Sequence, residues 1–368
     1  MSSLKNILAL ICTAILAFPA SAALYGFSEG TPHSPIEDVL SMPKAPRKII
    51  NYRAELRNNI NALASYARRN RKGFAMVIHE GEVLLEKSLW EFHLRGYENA
   101  RRLGINADDP TFLLRLKQTS PDTSPLAGSP QRFLIGSLDG IALNDLFCSD
   151  RKPSDSVSNS GLRIISIDKC KDVQAFDEAI EKSVKADSLL YAFIDPESAF
   201  NKIRRQPIIN ENSKNIFTVR EAKNIKLLID DSLYKSKDRM IDDIADSNYD
   251  IIVIEPLFHG TEPFTAEEVN DMKFKKIGSK RMILALHNIT EARDTAPYWR
   301  RNWIFGQTQL LARPSFSDKN AFIVEYWQDE WKNIMGRYFK AIVDTGYDGA
   351  FLTGLENHRF FEKQTPLE

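Results

Sequence analysis

The chain reads as an α/β protein, a single (β/α)8 barrel of the triosephosphate isomerase type, and three observations predict it. Continuous apolar, β-branched runs recur along the chain, as parallel strands covered on both faces require. Stretches with helical spacing separate them, the alternation expected of an α/β fold. The number of runs favours a closed barrel over an open sheet.

In chain order the predicted strands cover residues 74–78, 138–143, 162–167, 189–194, 225–229, 251–254, 282–286, 322–326 and 347–352. Between them, residues 52–69, 173–186, 237–245 and 331–343 carry helical spacing. Ser236 and Thr265 fit N-cap positions, and Glu268 three residues after Thr265 completes a capping box. The run Arg68 to Lys72 places cations at a helix end, where they suit the helix dipole. Residues 119–132 and 150–160, rich in Ser, Pro, Thr, Gly and Asp, read as surface loops. Residues 206–214 are polar and read as a crossover between the two halves of the barrel.

Residues 1–22 read as a secretory signal: Lys5, an apolar run over 7–18, then Ala20-Ser21-Ala22 as the small-residue cleavage site. The barrel domain then covers 23–368, in a secreted or periplasmic protein without a membrane span. Hydrophobic residues at 43% and charged residues at 27% suit a globular chain with a sizeable core. Lysine plus arginine, 49, balance aspartate plus glutamate, 49, which gives no electrostatic case for nucleic acid. Cys148 and Cys170 follow two strands on the same rim. They read either as a disulfide, reasonable in an exported chain, or as two separate buried thiols.

The stretch from Asp344 to Phe361 is the most informative part of the chain. A helix tail ends in a Gly turn at Gly346, a short strand follows, and a polar tip comes next. It resembles the barrel-closing motif of the glycoside hydrolase family 114 type, the endo-α-1,4-polygalactosaminidase-like proteins. That group includes a long extracellular subgroup formerly labelled possible cysteinyl-tRNA synthetases. The resemblance also covers Asn51 to Glu55, Leu138 to Phe147, Asn248 to Glu255 and Phe264 to Glu268. Tyr298-Trp299 and Tyr326-Trp327 with Trp331 are similar to the family's aromatic pairs. No class I synthetase signature is present, which excludes the older label.

The resemblance implies an amino-sugar polysaccharide as partner and carboxylate acid/base catalysis. No cofactor is expected, and no metal: His79 and His287 end strands and could join nearby carboxylates as ligands, but no ligand spacing supports that. Glycoside hydrolysis needs one carboxylic acid and one carboxylate flanking the scissile bond. The two family positions for these groups are Thr353 and Asn144 here, and neither is a carboxylate. The replacement candidates near predicted strand ends are Glu325 and Glu356 first, then Glu255, Asp145, Glu80 and Glu291. Trp299, Tyr326, Trp327, His287, Asp139 and Asp348 are the expected substrate-binding residues. The alternative is a catalytically inactive member that binds a saccharide or protein partner through the barrel mouth.

Overall fold

The computed structural model describes residues 49–102, 127–203 and 207–365. The expected signal peptide and positions 119–126 of the first long loop lie outside them.

Eight parallel strands form one sheet: β1 (Ala75–His79), β2 (Gly140–Asn144), β3 (Arg163–Lys169), β4 (Leu189–Phe193), β5 (Ile225–Leu228), β6 (Ile251–Ile254), β7 (Met282–Asn288) and β8 (Gly349–Thr353). Their order across the sheet is β4-β3-β2-β1-β8-β7-β6-β5, so the first and last strands pair and the sheet curls into a nearly closed barrel. The two ends, β4 and β5, meet at a seam bridged by side chains. Lys226 Nζ donates to the Tyr191 hydroxyl at 2.9 Å, and both groups donate to the carbonyl of Ala199.

The helices in chain order are α1 (Tyr52–Asn70), α2 (Leu89–Arg102), α3 (Arg132–Gly136), α4 (Asp155–Ser158), α5 (Val173–Lys185), α6 (Lys237–Ala245), α7 (Ala266–Asp271), α8 (Asp329–Thr345) and α9 (His358–Gln364). The expected caps are present: Ser236 accepts from Arg239 N, and Thr265 and Glu268 form a capping box. Gly346 ends α8 in the left-handed region at φ 101°, which a side chain would disfavour. Helix α2 has no counterpart in the sequence expectation.

Strand periodicity sorts the core into two shells. Val77, Ile165, Leu227, Val253, Leu284 and Phe351 point into the barrel and pack on one another. Their neighbours Ile78, Ile252, Ile283 and Leu352 point outward and pack beneath the helices. Gly349 has a steric reason at the start of β8: a Cβ there would sit 2.5 Å from the carbonyl oxygen of Ala75 on β1.

One predicted strand is in a different place. The 322–326 segment forms Ala321–Val324, the central strand of a three-stranded antiparallel sheet with Glu291–Arg293 and Leu311–Pro314. An apolar run reports burial, and here the burial is against the outer layer rather than the barrel. Glu325, Tyr326 and Trp327 therefore do not stand at the end of a barrel strand.

Candidate functional site

Side chains at inward positions that run past the carboxyl ends of barrel strands project into the mouth. By alternation these positions hold His79, Asn144, Glu255, Asn288 and Thr353. The mouth divides into two parts with different chemistry.

Around β1 and β2 the polar groups are bound to one another. His79 Nε2 lies 3.0 Å from Asn144 Oδ1, and its ring stacks on Phe351. Glu80 Oε1 accepts from Asn144 N at 2.8 Å, and its carboxylate pairs with Arg151, which also holds Glu82. Asp145 Oδ1 accepts from Lys169 N at 3.0 Å. Glu80 and Asp145 both occupy the left-handed region, at φ 56° and 57°. Such conformations cost about 1 kcal/mol or more for non-glycine residues, and these side-chain bonds hold them. The disulfide between Cys148 and Cys170 ties the β2 loop to the end of β3, with a Cα separation of 5.2 Å.

Around β6, β7 and β8 the mouth opens into a cleft of about 170 Å³. Glu255, Asn288, Glu291, Arg293, Tyr298, Asp318, Tyr338 and Thr353 line it, with His287 also at its wall. Glu255 follows β6, and about a fifth of its side chain remains accessible. Burial raises its pKa to about 7 against the opposing charge of Arg293, and Asp231 and Asp318 push the same way as burial. Arg293 bridges two carboxylates, Glu255 at 3.2 Å and Asp318 at 2.9 Å. The phenol of Tyr298 accepts from Arg293 N and feels the charge of both Glu255 and Glu291. Burial is the main cause that raises its pKa.

The chain around Glu291 folds back by local bonds. Asn288 Oδ1 accepts from the amides of Thr290 and Glu291, both at 3.1 Å, in an Asx-type turn at the end of β7. Thr290 Oγ1 then donates to the carbonyl of Gly354 at 2.7 Å. Gly354 lies at φ 83°, and a Cβ there would come within 2.3 Å of both Asn288 and Thr290. A glycine thus lets the end of β8 close on this turn.

Of the expected catalytic carboxylates, the structure brings Glu255 and Glu291 into this cleft. Glu356 bonds Gly81 N at 3.0 Å and Arg359 at 2.7 Å, on the β1 side of the mouth. Glu325 accepts from the Gln328 amide beyond the antiparallel sheet. Tyr326 is fully buried, and its hydroxyl donates to the carbonyl of Tyr52 at 3.1 Å. Trp327 packs on Tyr52 and Phe361. Asp139 and Asp348 precede β2 and β8, at the amino-terminal end of the barrel and away from the mouth. There they hold Arg68 and Met76 N, and Lys273, Arg71 and Ile283 N, respectively. The Asp-Gly pairs therefore orient strand starts and do not reach a ligand in the mouth. His287 occupies an outward position of β7, stacked on Tyr338 at 5.3 Å, while His79 points inward. Trp299 stacks on Phe322 of the antiparallel sheet. Its neighbour Tyr298 reaches the cleft.

Sequence reasoning missed Arg293, Asp318 and Tyr338 as cleft residues. Asp318 is far from the strand ends in sequence, and the β-hairpin ending at Ala321 carries it back. No local signal points to it.

No family model matches the chain. It is 29% identical over 169 residues to the uncharacterized protein MJ1477 of Methanocaldococcus jannaschii, covering 46% of this chain and 47% of that protein. It is 24% identical over 149 residues to an uncharacterized protein of Thermotoga maritima, covering 40% of this chain and 45% of that one. The chain thus spans a little under half the length of the curated relatives it matches.

Proposed function

We propose that the chain is an exported glycoside-hydrolase-like protein of the family 114 type on a (β/α)8 barrel. Its substrate is an amino-sugar polysaccharide, and Glu255 is the proton donor. One observation carries this reading: a glutamate at the wall of the cleft whose carboxyl pKa is raised, mainly by burial, to about 7. A general acid works best when its pKa lies near the working pH, and burial is the usual way to raise a glutamate that far. The motif similarity at Asp344 to Phe361 supplies the substrate class. Tyr298, which lines the cleft, offers an aromatic surface there, and Trp299, Phe322 and the 47% exposed Phe305 stack on one another in the adjoining segment.

The alternative is a non-hydrolytic binder that uses the same cleft. Thr353 and Asn144 at the family's carboxylate positions favour it, as does the ion pair that ties Glu255 to Arg293. Hydrolysis of partially deacetylated galactosaminoglycan by the purified chain separates the two. Turnover is expected to fall about 10²–10⁴-fold in Glu255→Gln. It should be unchanged in Glu325→Gln, whose side chain is outside the cleft. Absence of turnover in the wild-type protein, with saccharide binding retained, would overturn the enzyme reading.

A further inference from the structure

We infer that Glu291 is the second carboxylate of this cleft, the base that takes a proton from the attacking water. Asn288, Ser315 and Asn357 are the residues that position it. The inference rests on the reading of the cleft as a glycosidase site.

Glu291 carries the argument through its hydrogen bonds. Its Oε1 accepts from the Ser315 hydroxyl and from Asn357 Nδ2, each at 3.0 Å. Its Oε2 accepts from Asn288 Nδ2 at 2.8 Å. The donors are neutral and come from three separate parts of the chain: the end of β7, the antiparallel hairpin, and the turn after β8. An ionised carboxylate offers about four lone-pair sites, and a protonated one fewer. Three are occupied here, so one on Oε2 is left for a ligand or water. Among the described carboxylates, Glu291 shares the lining of the cleft with Glu255 and Asp318. Asp318 pairs with Arg293 at 2.9 Å. Glu291 makes no ion pair among the described residues, so its charge is not neutralised by a partner. Tyr298 lies within electrostatic reach of both Glu255 and Glu291.

Two carboxyl groups in unlike surroundings are the arrangement that acid/base hydrolysis requires. One is desolvated, and burial raises its proton affinity toward neutral pH. The other is held by amide and hydroxyl donors at three points, with one lone pair left to take a proton from water. In the step that follows, the oxygen of water bonds to the anomeric carbon as the bond from that carbon to the leaving oxygen breaks. The leaving oxygen takes the proton of Glu255. A proton of the water passes to Glu291 Oε2. Exchange with solvent then returns Glu291 to its carboxylate and Glu255 to its acid, and no other reactant is consumed.

The test compares wild type, Glu291→Gln, Glu291→Ala and Asn357→Ala on galactosaminoglycan, with melting curves to confirm folding. Glu291→Ala and Glu291→Gln are expected to lose about 10²–10⁴-fold in kcat with KM within about threefold. Added azide or formate should restore at least about tenfold in Glu291→Ala, because a small anion fits the vacated carboxylate position. A residue with only a structural role would not respond to it. Asn357→Ala should lower kcat by about tenfold with KM within about threefold, since one of the bonds that orient the Glu291 carboxylate is gone. Full activity in both Glu291 variants, or lost activity that neither anion restores in a folded Glu291→Ala, would overturn the assignment. Either result leaves the role of Glu255 standing. A wild-type protein with no turnover instead removes the glycosidase reading and this inference with it.

Discussion

Replacing Glu255 by glutamine separates electrostatics from catalysis, because its stability effect needs no substrate. The carboxyl of Glu255 has a folded pKa near 7 against an ordinary value of 4.5, with burial as the main cause. Between these two values the folded protein binds a proton that the unfolded chain has released. Stability therefore falls as pH rises through that window, and the penalty is complete above it. A shift of that size corresponds to roughly 3 kcal/mol at 1.36 kcal/mol per unit. The ceiling is reduced because a fifth of the side chain is accessible. It is reduced again because a neutral residue here costs Arg293 one of its two carboxylate partners. About 1–3 kcal/mol is the expected gain for Glu255→Gln at pH 8, with almost none at pH 4. For a chain of this length that is a rise in Tm of about 1–4 °C. Thermal or urea denaturation of both proteins at pH 4, 6 and 8 provides the measurement. Parallel pH dependences in the two proteins, or a variant less stable at pH 8, would refute the account of Glu255 as a desolvated acid.

Two further outcomes follow from the fold. Removing the Cys148–Cys170 bond by a double Cys→Ser change opens a loop of 22 residues, and should cost about 3 kcal/mol in chemical denaturation. A midpoint unchanged by reduction would show that the loop is ordered without it. Asp348→Asn should lower stability by about 1–2 kcal/mol, because Lys273 at 2.8 Å and Arg71 lose their partner. Its turnover should match the wild type, since the side chain lies at the opposite end of the barrel from the cleft. Lost turnover in a folded Asp348→Asn protein would contradict that placement.

Much of the fold is readable in advance, for a local reason. Strands β1 to β8 are short apolar runs bounded by turn residues, and every one fell within a few residues of its expected position. The N-caps at Ser236 and Thr265 were legible because a cap depends on side chains only three residues apart. The 322–326 run shows the limit. Alternation and burial look the same whether a strand joins the barrel or an outer antiparallel sheet, so Glu325 and Tyr326 were placed at the wrong kind of strand end.

The cleft shows the same division. Glu255 and Glu291 are candidates from the sequence because each follows an apolar strand. Their difference in character is not in the sequence. It comes from burial at Glu255, with Arg293, Asp231 and Asp318 around it, and from the hydrogen bonds of Asn288, Ser315 and Asn357 at Glu291, gathered from distant parts of the chain. By itself the sequence determined which segments become barrel strands, because side-chain periodicity and turn chemistry act over a few residues. Only the tertiary structure decided which carboxyl groups share a cleft and which is desolvated, because proton affinity depends on the surrounding charges and solvent that folding brings together.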